Sequence, residues 1–187
     1  MLPWNNKFLK RQENIKPKTI FYGSDGQDIK TVSREIVNGF ISRIDNKDYS
    51  NRELENIASP NFYFLKQDPE KNNIPIAELR EPKNFLSLSS TGDKLLFIQD
   101  GEGIRIDGYN SLLKVAEDSG DKTYIIIATN DLSSIPSTIK SRFHLSRIPK
   151  PSTLEVKEFL SESNQNLSAK AIGSVSYTHL TLPTTTI

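Results

Sequence analysis

Apolar residues along the chain follow two alternating rhythms. Thr19-Ile20-Phe21-Tyr22, Phe62-Tyr63-Phe64-Leu65, Leu95-Leu96-Phe97-Ile98, Tyr124-Ile125-Ile126-Ile127 and Leu145–Ile148 are short β-branched or aromatic runs, the pattern of strands. The Leu95 run is almost unbroken, as in a strand covered on both faces. Between these runs the apolar spacing becomes helical. Ile29, Val32, Ile36, Val37, Phe40, Ile41 and Ile44 make one amphipathic stripe. Ile76–Leu88 predicts a second helix, interrupted near Pro82, and Leu112, Leu113 and Ala116 belong to a third with Asp107 as its expected cap. Asn46–Asn61 and Asp68–Asn73 are polar loops, with a helical turn or two possible over Arg52–Ile57. Strands alternating with helices predict an α/β fold built on a doubly wound, parallel, five-stranded sheet. Lys150-Pro151-Ser152 reads as a hinge, after which Leu154–Leu160 and Leu167–Ile172 begin further helices.

Composition adds limits. The chain has 187 residues, about a third of them apolar, which suits one domain of ordinary size and the start of a second. A net charge of +1 gives no general attraction to DNA or to anionic membranes. No window approaches the ~18 apolar residues of a membrane span, and the start, MLPWNNKFLKRQ, lacks a secretory signal's apolar run. With no cysteine there are no disulfides and no thiolate metal sites. The expectation is a cytoplasmic protein.

The candidate chemistry lies in the turn after the first strand. Gly23-Ser24-Asp25-Gly26-Gln27-Asp28-Ile29-Lys30-Thr31 falls where a phosphate-binding loop, G-x-x-x-x-G-K-[ST], belongs. Counted from Gly23, Asp28 stands at the second glycine, Ile29 at the lysine and Lys30 at the hydroxyl that holds magnesium. A carboxylate facing a triphosphate is repulsive, by ~1 to ~4 kcal/mol at ~4 Å depending on the dielectric. Reading Lys30-Thr31 as the missing pair requires a shift of one residue, about 100° around the helix.

From Leu95 to Phe143, and through Asn110-Ser111-Leu112-Leu113-Lys114 in particular, the chain resembles the ATPase core of bacterial clamp-loader subunits. Within them it is most similar to the delta-prime family of DNA polymerase III. The resemblance implies an AAA+ core over residues 1–149 and the beginning of a small helical lid over 150–174. It puts Asp100 at the magnesium aspartate, Gly101 where hydrolysing relatives carry a catalytic glutamate, and Thr129-Asn130 at a nucleotide-sensing position. Gly23, Gly26, Lys30, Thr31, Asp100, Thr129 and Asn130 would then outline a degenerate nucleotide site. ATP binding is not expected there, nor is zinc, since the four-cysteine module of many relatives has no counterpart in Asn46–Asn61.

Ser141-Arg142-Phe143 is similar to the family's Ser-Arg-Cys, whose arginine reaches the γ-phosphate held by the adjacent subunit. Arginine suits that task through its permanent charge and two-pronged fork; Phe143 is read as packing. The implied role is that of a stator without ATPase activity of its own. Such a subunit donates Arg142, with Ser141, in trans, and its partners are the tau/gamma and delta subunits, with the sliding clamp and primer-template DNA reached through the assembly. An ATP-hydrolysing tau/gamma-type subunit, or an α/β interaction module outside replication, are the alternatives. Val175–Ile187, VSYTHLTLPTTTI, resembles a translated sequencing-library adaptor and is set apart from the fold, so that native sequence is expected to continue past Ser174.

Overall fold

The computed structural model describes residues 8, 15–23, 26–87, 92–120 and 122–157. Strands β1 (Lys18–Tyr22), β2 (Phe62–Leu65), β3 (Lys94–Ile98), β4 (Thr123–Thr129) and β5 (His144–Arg147) form one parallel sheet in the order β2-β3-β4-β1-β5. This is the five-stranded α/β architecture that the sequence predicts. Leaving β1, the chain crosses to the far edge at β2, steps back through β3 and β4, and passes over β1 to β5. Parallel neighbours require such crossovers, and helices fill them.

Alternation along the strands separates two cores. On one face Phe21, Leu95, Phe97, Ile126 and Ala128 meet α1 (Gly26–Asp45) through Ile29, Val32, Ile36, Val37, Phe40 and Ile41, with Ile44 partly buried beside them. On the other, Ile20, Leu96, Ile98, Ile125 and Ile127 pack under α2 (Ile76–Arg80), α3 (Pro82–Ser87), α4 (Ile106–Asp118) and α5 (Ser137–Lys140). The break between α2 and α3 falls at the expected place, because Pro82 has no N–H to continue the helix. Gly108 lets α4 approach α2: a Cβ there would stand 2.6 Å from Leu79 Cδ1.

Among the described residues there are also 3-10 turns at Leu54–Asn56, Gly101–Gly103 and Leu132–Ser134. One expectation is corrected. Asp107 does not cap α4; the capping position is Arg105, without a side-chain bond, and Asp107 lies inside the first turn, accepting from the Gly108 N–H at 3.0 Å. A carboxylate is favoured at either place by the unpaired N–H groups and the helix dipole, so the sequence signal is the same.

Backbone contacts divide the chain into a unit of Met1 and Asn5–Lys150 and a second of Leu2–Trp4 and Pro151–Ile187. In the second unit the described residues are 151–157, with a helical turn over 153–157. Its start is capped reciprocally: Ser152 N and Oγ donate to Glu155 Oε2, both at 2.8 Å, and Glu155 N donates to Ser152 Oγ at 3.2 Å. The remainder of the Leu154–Leu160 helix, the Leu167–Ile172 helix, the Leu2-Pro3-Trp4 opening, Leu88 and the Val175–Ile187 tail lie outside the described residues. Among the described residues no helix is long and apolar enough to cross a membrane.

Candidate functional site

A parallel sheet gathers the C-terminal ends of its strands on one rim, where open α/β folds bind ligands. Gly23 follows β1, and α1 opens at Gly26, placing Lys30 one turn into that helix. Asp100 follows β3, and Thr129 closes β4. The three ends converge. Lys30 Nζ reaches Asp100 Oδ1 at 2.7 Å, with the lysine half-exposed and the aspartate nearly buried. Asp100 takes a left-handed backbone, φ 62°, ψ 55°, a conformation that aspartate tolerates better than most residues. From there the Gly101–Gly103 turn is closed by Gly103 N to Asp100 O at 2.9 Å. Tyr109 on α4, wholly buried, fixes the same turn by donating to Gly101 O at 2.8 Å. Burial pushes its phenol pKa well up, and the nearby charge of Glu102 adds to the shift.

Glu102 faces β4. Its Oε2 accepts from Thr129 Oγ1 at 2.7 Å and from Asn130 N at 3.2 Å, while Oε1 accepts from Asn130 Nδ2 at 3.1 Å. The sensor-like pair Thr129-Asn130 is therefore engaged by a glutamate of its own chain. Ile29, Gln99 and Ala128 complete the crevice around Lys30, Asp100, Glu102, Thr129 and Asn130, and no space for a water-sized guest remains inside.

Thr31 does not enter this crevice. With Lys30, Arg34, Glu53, Leu54, Glu55 and Gln99 it lines a neighbouring depression of about 200 Å³. There Arg34 Nη1 already donates to both oxygens of Glu53, at 2.8 and 3.0 Å. Of the residues predicted for a nucleotide site, Lys30, Asp100, Thr129 and Asn130 thus come together, with Gly23 just after β1 and Gly26 at the start of α1. Ser24, Asp25 and the side chain of Asp28 lie outside the described residues.

Magnesium and ATP, which this kind of rim implies, would meet an ammonium at the place of the usual hydroxyl. An ammonium has three N–H donors and no lone pair, so Lys30 cannot ligate a metal where a hydroxyl would. Its charge pairs with the nearly buried Asp100 carboxylate, and both oxygens of Glu102 accept hydrogen bonds from Thr129 and Asn130.

Arg142 lies apart from the crevice, just after α5, on the turn into edge strand β5. Its Nη1 donates to Thr138 O at 3.1 Å, and its Nε stands 3.3 Å from Glu117 Oε1 on α4, with half of each side chain exposed. Ser141 Oγ donates to the same Thr138 carbonyl at 3.1 Å. Beneath them Phe143 is buried in the α4 and α5 core, the packing role expected of it. Sequence reasoning did not find the partners Glu102 and Glu117. Both contacts join residues far apart in sequence, and no local spacing announces them.

A model of the family described as DNA polymerase III, delta subunit, matches residues 6–152. The curated DNA polymerase III subunit delta′ of Pseudomonas aeruginosa is 23% identical over 115 residues, 60% of this chain and 35% of that protein. The chain thus spans about a third of that relative's length. Among solved structures, a DNA polymerase III gamma subunit-related protein from Thermotoga maritima superposes with a TM-score of 0.61 at 21% identity, over 85% of this chain and 49% of the other. A chain of the HORMA:CdnC:Trip13 complex of E. coli MS115-1 gives a TM-score of 0.51 at 12% identity, over 93% and 66%. At such identities the two structural likenesses speak to the fold alone.

Proposed function

The chain belongs to the DNA polymerase III, delta subunit family, and on that premise we propose that it is a delta-prime-type stator of a clamp loader that hydrolyses no ATP itself. In this reading it takes its place beside tau/gamma-type ATPase subunits and a delta subunit. It supports loading of the sliding clamp on primer-template DNA and offers Arg142 to the nucleotide of a neighbour. The observation that supports it best is an asymmetry between two places on the domain. Lys30 and Asp100 close on each other in a crevice without room for a guest, whereas Arg142 keeps half its surface exposed.

Arg142 has the chemistry for the task. Phosphoryl transfer loads negative charge onto the phosphate oxygens, and a guanidinium supplied across an interface stabilises it; such arginines contribute ~10³ to 10⁵ in rate. Ser141 shares the Thr138 carbonyl with Arg142 and so helps fix the turn from which the arginine projects. To reach a neighbour, the guanidinium must leave Glu117. Exposed ion pairs of this kind contribute only ~0–1 kcal/mol, a small obstacle beside the gain from a phosphate.

The test is ATP turnover in a reconstituted clamp loader carrying Arg142→Ala, with Arg142→Lys alongside. Turnover at the adjacent site is expected to fall by about 10³ or more while the subunits still co-purify. Lysine should rescue little, because it lacks the fork. Undiminished turnover with Arg142→Ala would overturn the trans role.

A further inference from the structure

We propose that Lys30 is this chain's built-in substitute for the nucleotide's metal: its ammonium neutralises Asp100 at the position a magnesium ion would otherwise occupy, and so makes the folded domain independent of magnesium. The proposal deepens the reading of the rim as an inactive site and rests on that reading, but its support is geometric.

In a phosphate-loop protein the magnesium lies between a hydroxyl near the start of the first helix and an aspartate at the end of a neighbouring strand. Lys30 and Asp100 stand at those two places, and their side chains touch at 2.7 Å. Asp100 lies just past β3, which is separated from β1 by β4, and Lys30 meets it in a crevice that Ala128 and Thr129 at the end of β4 also line. Asp100 is only 8% exposed. A carboxylate at that depth without a cation is strongly disfavoured, and a partner tethered to the chain supplies the cation at all times. In a nucleotide-dependent relative the same charge is neutralised only while the metal is bound.

The rest of the crevice agrees. Glu102, an acid near the ion's place, is turned toward β4 by its bonds to Thr129 and Asn130, so its carboxylate is already engaged within the chain. Ile29, at the position of the usual phosphate-binding lysine, is buried in the α1 core and turns an apolar side chain to that side. The positive charge has in effect moved one residue along the helix, from the phosphates to the aspartate. The ion pair also ties α1 to the end of β3, the job that metal and phosphates perform in a loaded site.

The experiment is thermal unfolding of the full chain in chelator and in millimolar magnesium, without nucleotide, for the parent and for Lys30→Ser, Lys30→Met and Lys30→Ser/Asp100→Asn. The parent is expected to melt at one temperature in both buffers. Lys30→Ser should melt about 2–4 °C lower in chelator and recover in magnesium, since a hydroxyl and Asp100 then face each other. Lys30→Met keeps the stem without the charge and should drop without recovery; in the double variant the response to magnesium should vanish. A parent stabilised by magnesium would overturn the proposal, as would a Lys30→Ser chain as stable as the parent in chelator. A Lys30→Ser loss that magnesium leaves unrepaired would overturn it too, reducing the contact to an ordinary surface pair. None of these outcomes touches Arg142, whose role is read from turnover in the assembly.

Discussion

Gly101 shows, at the scale of one residue, how tightly the rim is packed against β4. A Cβ on it would meet Ile127 Cγ2 at 2.7 Å, Thr129 Cβ at 3.3 Å and the Ala128 carbonyl oxygen at 3.4 Å. All three atoms belong to β4, a strand at the centre of the sheet that has little freedom to yield. Gly101→Ala is therefore expected to lower stability by about 1–3 kcal/mol, read as a lower urea midpoint with an unchanged slope. Gly101→Glu, which places there the glutamate expected of hydrolysing relatives, should unfold more easily still and gain no ATPase. An alanine variant as stable as the parent would show that β4 does yield. The sequence made the defect visible as a wrong residue at a counted position. It could not show that the backbone has closed around the vacancy, because the closure depends on Ile127 and Thr129, more than twenty residues away. Lys30 is a similar case: helical spacing gives its face of α1, but not that its ammonium pairs with Asp100.

Among the elements, strands and long helices were legible and helix starts less so. Each strand lies within a residue or two of its apolar run, because a central strand of a parallel sheet must be apolar on both faces; every residue of β3 is buried. Helix starts are governed by a few polar side chains competing for the same N–H groups, so Asp107 was misplaced by two residues. The start of the second unit follows the opposite course, since Ser152-Thr153-Leu154-Glu155 carries the S-x-x-E spacing and the reciprocal bonds are formed. Ser152→Ala is expected to raise amide hydrogen exchange over residues 153–157 about fivefold, the equivalent of ~1 kcal/mol. Exchange unchanged in that turn would mean that packing, and not the cap, holds it.

Across the whole molecule, α1 is fastened at both ends by a carboxylate, Asp100 at one and Asp45 at the other. At the rim stands the Lys30–Asp100 pair. At the other end Asp45, the last residue of the helix, accepts from Tyr49 Oη and Asn61 Nδ2, each at 2.9 Å, and so joins α1 to the loop beyond it and to the approach to β2. Burial raises the Asp45 carboxyl, but hydrogen bonds from Ser59, Asn61 and Tyr49 outweigh it and leave the group below the ordinary aspartate value. Glu55, bonded to Lys66, and Asp131, bonded to Ser133, are lowered as well. A carboxylate whose folded pKa lies below its unfolded one stabilises the fold above the unfolded value, about 4, and the contribution is lost as pH falls through the folded value. Urea midpoints measured at stepped pH should therefore hold level just above pH ~4 and decline below it. Asp45→Asn keeps an acceptor for Tyr49 but cannot titrate, so it should lower the midpoint near neutrality and flatten the acid decline. If the variant declines as steeply as the parent, Asp45 does not carry this linkage, and the acid sensitivity belongs to the exposed carboxylates instead.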